Sequence, residues 1–240
     1  MIKFEKEEAW GFEHAIRGMR NPMNSWDRSD SYLSHGNCHS ESCESCCMNP
    51  ECVDGTFWVG ENDKNLMTRL IRGGAPHRKF LRQIFVSVDI TAPIYWWKEF
   101  DTYKVGTTAN SCSTMHKIQS KEFELDDFSH EHLIDFTLKT VDESTKYDAT
   151  EWLKSTIAQL NFARYLYLQT KDKDYWWLMI QLLPTSYNQK RTVTMTYENL
   201  LNMLEYRRGH KLDEWRQFCD WILTLPHSSL LKEGVAHEPG

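Results

Sequence analysis

No stretch of this sequence approaches the run of about eighteen apolar residues from which a membrane-spanning helix is built. The first ten residues, MIKFEKEEAW, are acidic and have no apolar core, so neither a signal peptide nor a membrane span is expected and the cytoplasm is the expected location. Positive charge is not in excess either. Twenty-eight Lys and Arg stand against 34 Asp and Glu, a net charge of −6 and a pI of about 5.9. That balance argues against nucleic acid as a partner. It leaves room for a phosphorylated small molecule, because a local group of Arg and Lys can hold an anion on a negative protein. Internal repeats are absent, and no low-complexity block stands out beyond one cysteine-rich segment.

That segment is where the chemistry-bearing residues are densest. Five of the seven cysteines, Cys38, Cys43, Cys46, Cys47 and Cys52, fall within fifteen residues, with His35 and His39 close by. Without a secretory leader they read as reduced thiols or metal ligands rather than a disulfide framework. Thiolates at this spacing can converge on a tetrahedral zinc ion at about 2.3 Å per bond. The Cys-x4-Cys-x2-Cys run is also part of an iron–sulfur ligand pattern, though no fourth ligand is identifiable. The second C-x-x-C of a zinc ribbon is missing, so a surface insertion carrying redox-sensitive thiols is the other reading. Any metal here is expected to be structural. Ten tryptophans and ten tyrosines supply aromatic platforms suited to planar ligands or subunit interfaces.

Along the chain, residues 1–20 read as a strand or short helix followed by AIRGMR, and 61–72 as a helix with Leu66, Leu70 and Ile71 on its apolar face, stopped at Gly73-Gly74. Ile84, Val86, Val88 and Ile90 alternate as in a half-buried strand. Thr91 is expected to cap the next helix and Pro93 to sit in its first turn. That helix carries Tyr95, Trp96, Trp97 and Phe100 into the small, polar run TYKVGTTANSCSTMHK, the kind of loop on which sites are built. Residues 119–150 read as acidic and irregular, and the His130-Glu131-His132 triplet as a solvated face. Four more helices are expected over 151–169, 175–183, 197–208 and 212–225.

The stretch from His77 onward resembles the flavin-dependent thymidylate synthases. In that family a Gly-His segment and a strand lead into an APIF-like helix, then into Arg-His-Arg-x-x-Ser-x-Asn-Glu-x-Ser-x-Arg-Tyr. Here GGAPH, FVSVDI and APIYWWKEF occur in that order at similar spacing. Thr102, Tyr103 and Lys104 stand at the Arg-His-Arg positions and Thr107 at the first Ser. Ala109-Asn110 replace Asn-Glu, Cys112 replaces the second Ser, and Thr114-Met115 replace Arg-Tyr. A second region is similar as well: Leu183-Pro184 precede LLNMLEYRRGHKLDEW, which matches the family's Asn-bearing helix and the His and Trp after it at His210 and Trp215. The family's nucleotide-contacting Arg before Leu-Pro is here Ile180, beside Gln181.

The resemblance spans most of residues 60–220 and implies an α+β single domain, an antiparallel sheet flanked by long helices. It divides the chain into an N-terminal part (1–34), a Cys-rich insertion (35–56), the core (57–226) and a flexible tail (227–240). It implies a homotetramer holding flavin and nucleotide between subunits, with FAD as cofactor and NADPH and methylenetetrahydrofolate as co-substrates. The carbon would go to C5 of a dUMP-like pyrimidine deoxynucleotide. On the flavin side it places His77, Lys79, Thr102, Tyr103, Lys104, Asn110, Thr196 and Asn202. On the substrate side it places Glu99, Asn110, Cys112, Ser113, Thr114 and Arg207.

Arg207 is the candidate to stabilise charge developing on the pyrimidine, since a guanidinium does so without changing protonation; otherwise it is a helix C-terminal Arg that favours the dipole. Lys104 can hold a phosphate as a point charge but not through a bidentate fork. Cys112 is either a nucleophile toward a pyrimidine C6, with Lys104 and Lys117 nearby to favour the thiolate, or a thiol filling a Ser-sized space. Three readings stand open: the enzyme, a catalytically altered homologue binding nucleotide, flavin or metal as a regulatory or interaction protein, and a zinc- or redox-responsive interaction module centred on the Cys segment.

Overall fold

The computed structural model describes residues 2–33, 57–139 and 144–235. The candidate metal ligands Cys38, Cys43, Cys46, Cys47 and Cys52 lie outside the described residues, as do 236–240 of the expected tail. In chain order, strand β1 (Lys3–Trp10) leads into helix α1 (Phe12–Arg20), followed by strands β2 (Tyr32–Leu33) and β3 (Phe57–Trp58) and helix α2 (Glu61–Arg72). A 3₁₀ turn over Arg78–Gln83 precedes strand β4 (Phe85–Pro93), helix α3 (Ile94–Phe100) and strand β5 (Thr108–Ser111). The hairpin β6 (Phe136–Lys139) and β7 (Ser144–Tyr147) then leads to helices α4 (Ala149–Thr170) and α5 (Lys173–Leu182). Strand β8 (Asn188–Thr196) is followed by helices α6 (Tyr197–Arg207), α7 (Asp213–Ile222) and α8 (Ser229–Val235).

The main sheet has the order β1-β4-β8-β5. Thr192 pairs through its hydroxyl with Asp89 at 2.6 Å, and Thr194 with Ser87 at 3.3 Å. One strand advances by two as the other retreats by two, so β4 and β8 run antiparallel. The alternation of Ile84, Val86, Val88 and Ile90 is what places this strand: all four are buried, and the residues between them are half-buried.

By compactness the chain forms two units, and β1, β4 and β8 each have residues in both. The first comprises Met1–Lys6, Val88–Lys104 and Thr108–Val193. Here α4 packs on α5 around Ile118, Phe123, Phe128, Ile157, Leu160, Ala163 and Met179. Asp148 caps α4 by accepting from Glu151 N at 2.9 Å, Lys171 ends it in the left-handed region at φ 60°, and Asp172 caps α5 in turn. Thr91 does not cap α3. The strand continues through Pro93, which holds the N-cap position in extended backbone, and the carbonyls of Tyr187 and Thr185 take the N–H groups of Ile94 and Tyr95 at 3.0 Å each. A hydroxyl cap is therefore superfluous. The 119–150 region is more regular than expected, with a 3₁₀ turn at Leu125–Asp127 and the β6–β7 hairpin, on which Phe136 stacks over Tyr147.

The second unit comprises Glu7–Ser87, Val105–Thr107 and Thr194–Gly240. Its α2 buries Asp63, Met67 and Ile71, one turn apart, rather than the expected Leu66 and Leu70, which are half-buried. Asp63 takes that face because Arg20 bonds it at 2.6 Å, with the hydroxyls of Ser29 and Ser31 at 2.7 and 2.6 Å. The tail expected from residue 227 is corrected over Ser229–Val235, where α8 buries Leu230 and Leu231 and packs on α2 and α6. Among the described residues no helix is long and apolar enough to cross a membrane.

Candidate functional site

In the second unit the turn Arg78–Gln83 lies against α6. Gly74, at φ +82°, reverses the chain before it, and His77 N and Arg78 N both bond to the Gly74 carbonyl, at 3.0 and 3.1 Å. His77 and Lys79 then line one cavity of about 670 Å³ together with Met23, Leu66, Leu70 and Phe80. The half-buried leucines of α2 are its apolar wall. Cavities of this size, mostly apolar with a few polar groups, suit a planar cofactor or small ligand.

Beside it stands an ion cluster. Glu198, on α6 and only 11 % exposed, receives Arg82 in a two-point pairing, with Nη2 to Oε1 at 3.3 Å and Nε to Oε2. Arg78 Nε lies 3.7 Å from Glu198 Oε1, and Arg78 Nη2 donates to Asn202 Oδ1 at 3.0 Å. Glu198 and Asn202 are four apart, so they share a helix face. Two guanidiniums on one carboxylate leave a net positive charge next to Lys79 in sequence. Of these cations the exposed Arg82 and Lys79 are the ones an anionic cofactor could reach, whereas Arg78 Nε is buried against Glu198 with no hydrogen bond among the described residues.

At the far end of α6 the Arg207 guanidinium lies over the Trp215 ring at 4.7 Å, and His210 meets the same ring edge-on at 6.2 Å. At its start Thr196 is engaged locally: its hydroxyl donates to Asn199 Oδ1 at 2.6 Å and accepts from Asn199 N at 3.3 Å. Asn199 Nδ2 also bonds the Val105 carbonyl at 2.6 Å. Gly106, at φ +78°, passes so near that a Cβ there would meet Asn199 Oδ1 at 2.7 Å.

The first unit holds the remaining candidates. Thr102 Oγ1 is turned back onto the Glu99 carbonyl at 2.7 Å, Tyr103 and Glu99 are half-buried, and Lys104, Asn110 and Cys112 are exposed. Ser113 Oγ accepts from the N–H groups of Met115 and His116 at 3.2 and 3.0 Å, shaping the turn that carries Thr114. Cys112 is anchored by its backbone: its N–H donates to Lys190 O at 2.9 Å, and its carbonyl accepts from Gln189 Nε2 at 2.8 Å. Gln189 is held by Arg191 Nε at 3.0 Å, and Arg191 by Asp101 at 2.7 Å and by the Trp97 ring at 4.2 Å.

The sequence reading missed Arg78, Arg82, Glu198, Gln189 and Arg191. One spacing was available for two of them, since Gln189 and Arg191 alternate onto one face of a strand; Arg78, Arg82 and Glu198 had no such signal. Among the described residues no group of three His, Cys, Asp or Glu is placed to hold a metal.

No protein-family model matches the sequence, and no curated protein does. Solved structures do match its fold. Thymidylate synthase X from Helicobacter pylori, solved with FAD and dUMP, superposes with a TM-score of 0.62 at 17% identity over 99% of this chain and 100% of that one. A second structure of the flavin-dependent enzyme from that organism, complexed with FAD and dUMP, gives 0.62 at 18% identity over 97% and 99%. A UMP/dUMP methylase from Streptomyces cacaoi, bound with 5-Br dUMP, gives 0.52 at 12% identity over 93% and 88%. The α+β single-domain fold of the flavin-dependent thymidylate synthases is therefore the fold of this chain.

Proposed function

We propose that this protein is an FAD-dependent enzyme of the thymidylate synthase type, placing a one-carbon unit from methylenetetrahydrofolate on C5 of a uracil-type deoxynucleotide. One observation carries the reading: the fold spans 99% of the chain in common with an enzyme solved with FAD and dUMP. The donor set agrees with it. His77 and Lys79 line a cavity of about 670 Å³ for the flavin side, and Asn202 is on α6, the helix that packs against the Arg78–Gln83 turn. Arg207 rests over the Trp215 ring with its guanidinium carbon 4.7 Å from the centroid, and in this reading it stabilises negative charge developing on the pyrimidine. His77, Lys79 and Asn202 would hold the FAD, which when bound and reduced by NADPH would supply the hydride.

Lys104, exposed beside Tyr103, takes the nucleotide phosphate as a point charge. Glu99, Asn110, Ser113 and Thr114 are the further residues that the family resemblance assigns to the substrate. Thr196 contributes by fixing the start of α6 through its cap. Cys112 is the group whose role one variant decides. If it adds to C6, the S–C6 bond forms and the C5–C6 electron pair moves to C5; Cys112→Ser then abolishes turnover while nucleotide still binds. Single-turnover product formed by C112S reduces the residue to a space-filler.

The protein assembles as a homotetramer in this reading. Phe162 and Tyr165 on α4, and Trp177, Leu178 and Leu182 on α5, are exposed large apolar side chains of the kind subunit contacts cover. Light scattering on the eluting protein tests it.

The decisive experiment adds FAD, NADPH, methylenetetrahydrofolate and dUMP to the purified protein and analyses the nucleotide by mass. A methylated product is expected. The alternative, a homologue that binds flavin and nucleotide without turnover, is favoured by one feature: Thr102 stands at a signature arginine position and its hydroxyl is spent on its own helix. FAD and dUMP bound with no product would select that reading, and no uptake of either would overturn both.

A further inference from the structure

The contact between Arg78 and Asn202 has a direction. Arg78 Nη2 donates to Oδ1, so the carbonyl end of the Asn202 amide faces Arg78 and its NH₂ end is the one left to face away. Arg78 is itself constrained. Its side chain is 14% exposed, its Nε lies 3.7 Å from Glu198 Oε1, and Glu198 is gripped from its other side by Arg82. A glutamine or asparagine amide flips freely unless a neighbour distinguishes its two ends, and a guanidinium, which only donates, accepts one orientation alone.

We infer that Arg78 is a positioning residue that locks the Asn202 side chain with its amide N–H groups turned toward the acceptor atoms of a bound isoalloxazine. This rests on the flavin reading given above. The Arg82–Glu198 pairing is the brace: it fixes the carboxylate against which Arg78 is set, and Glu198 and Asn202 present one turn apart on α6. Arg78 thus acts through Asn202 rather than on the ligand.

The test is a double-mutant cycle on full-length protein, read as the FAD dissociation constant by absorbance titration and, separately, as the urea unfolding midpoint. Arg78→Met is expected to weaken FAD binding about tenfold in the wild-type background, the size of one oriented hydrogen bond. In the Asn202→Ala background the same change is expected to cost less than about twofold, because the group it acts through is gone. Arg78→Lys, which keeps a donor and the charge beside Glu198, restores part of the affinity; Arg78→Ala replaces Arg78→Met in the cycle should that variant fail to fold. Equal losses of FAD affinity in both backgrounds overturn the inference, since Arg78 would then act independently of Asn202. So does undiminished FAD binding by R78M. Wild-type protein that takes up no FAD refutes the flavin reading and the ligand assigned to Asn202; the urea midpoints then still decide whether the two side chains are coupled, and additive shifts would sink that part as well.

Discussion

Gln189 donates from Nε2 to the Cys112 carbonyl at 2.8 Å, while the Cys112 N–H bonds the neighbouring Lys190 carbonyl at 2.9 Å. The exposed thiol is therefore carried on a backbone fixed at both polar groups by β8. Behind Gln189 stands Arg191, bonded to Asp101 and placed over the Trp97 ring. Arg191→Ala removes the brace, the ion pair and the ring contact together, and is expected to lower stability by about 2 kcal/mol. Arg191→Lys should recover less than half, because an ammonium lacks the planar fork that reaches two acceptors and a ring at once. Urea unfolding of the three proteins checks it. An alanine variant as stable as wild type removes the brace from the account.

Asp63 is the acid-sensitive point of the second unit. Burial works against its charge, but the Ser31 and Ser29 hydroxyls and Arg20 outweigh it and hold the carboxyl below the usual range. A carboxylate lowered in the folded state stabilises above its unfolded pKa of about 3.9, and that contribution fades as pH falls through the lower folded value. Asp63→Ala, which leaves Arg20 buried without its partner, should cost about 3–5 kcal/mol at neutral pH. Asp63→Asn should flatten the acid limb of the stability profile. Denaturant midpoints between neutral pH and pH 3 report both, and an unchanged acid limb in D63N would contradict the assignment.

The two described cysteines should differ in reactivity. Burial, with Asp220 adding to it, pushes the Cys219 thiol up to about 11, and the residue is 2% exposed. Cys112 is exposed. Iodoacetamide is expected to modify Cys112 in the native protein and Cys219 only after unfolding. Peptide mass mapping distinguishes them, and native labelling of Cys219 would count against the packing around α7.

Arg207 and Trp215 offer a direct test of the nucleotide side. Arg207→Lys keeps the charge but loses the planar guanidinium over the Trp215 ring, so dUMP binding to FAD-loaded protein should weaken about tenfold, or about 1.4 kcal/mol. FAD affinity should not move. Calorimetric titration measures both, and unaltered dUMP affinity takes Arg207 out of the nucleotide site.

Much of the scaffold was legible because it follows local periodicity. The alternation from Ile84 to Ile90 became β4, and the helical spacing in 151–169 became α4, lengthened at one end by the Asp148 cap. Where sequence reasoning failed, a distant partner had overridden a local rule. Asp63 sits on the buried face of α2 because residues 32 to 43 positions away satisfy it. Thr91 caps nothing because the carbonyls near residue 186 arrive first. The resemblance put Asn202 and Arg207 forward as candidates, whereas Arg78 and Glu198, 120 positions apart in the chain, had no local signal that they meet.

The sequence alone determined the acidic balance of the chain and most of its helices and its central strand, since these depend on composition and on spacings shorter than a helix. Only the tertiary structure decided which polar groups are spoken for. Thr196 and Thr102 are spent on local bonds, Cys112 is clamped by Gln189, and Asn202 is turned by Arg78. A hydrogen bond is directional and depends on an ångström of separation, so it is fixed where strands and helices meet and cannot be read from residues one at a time.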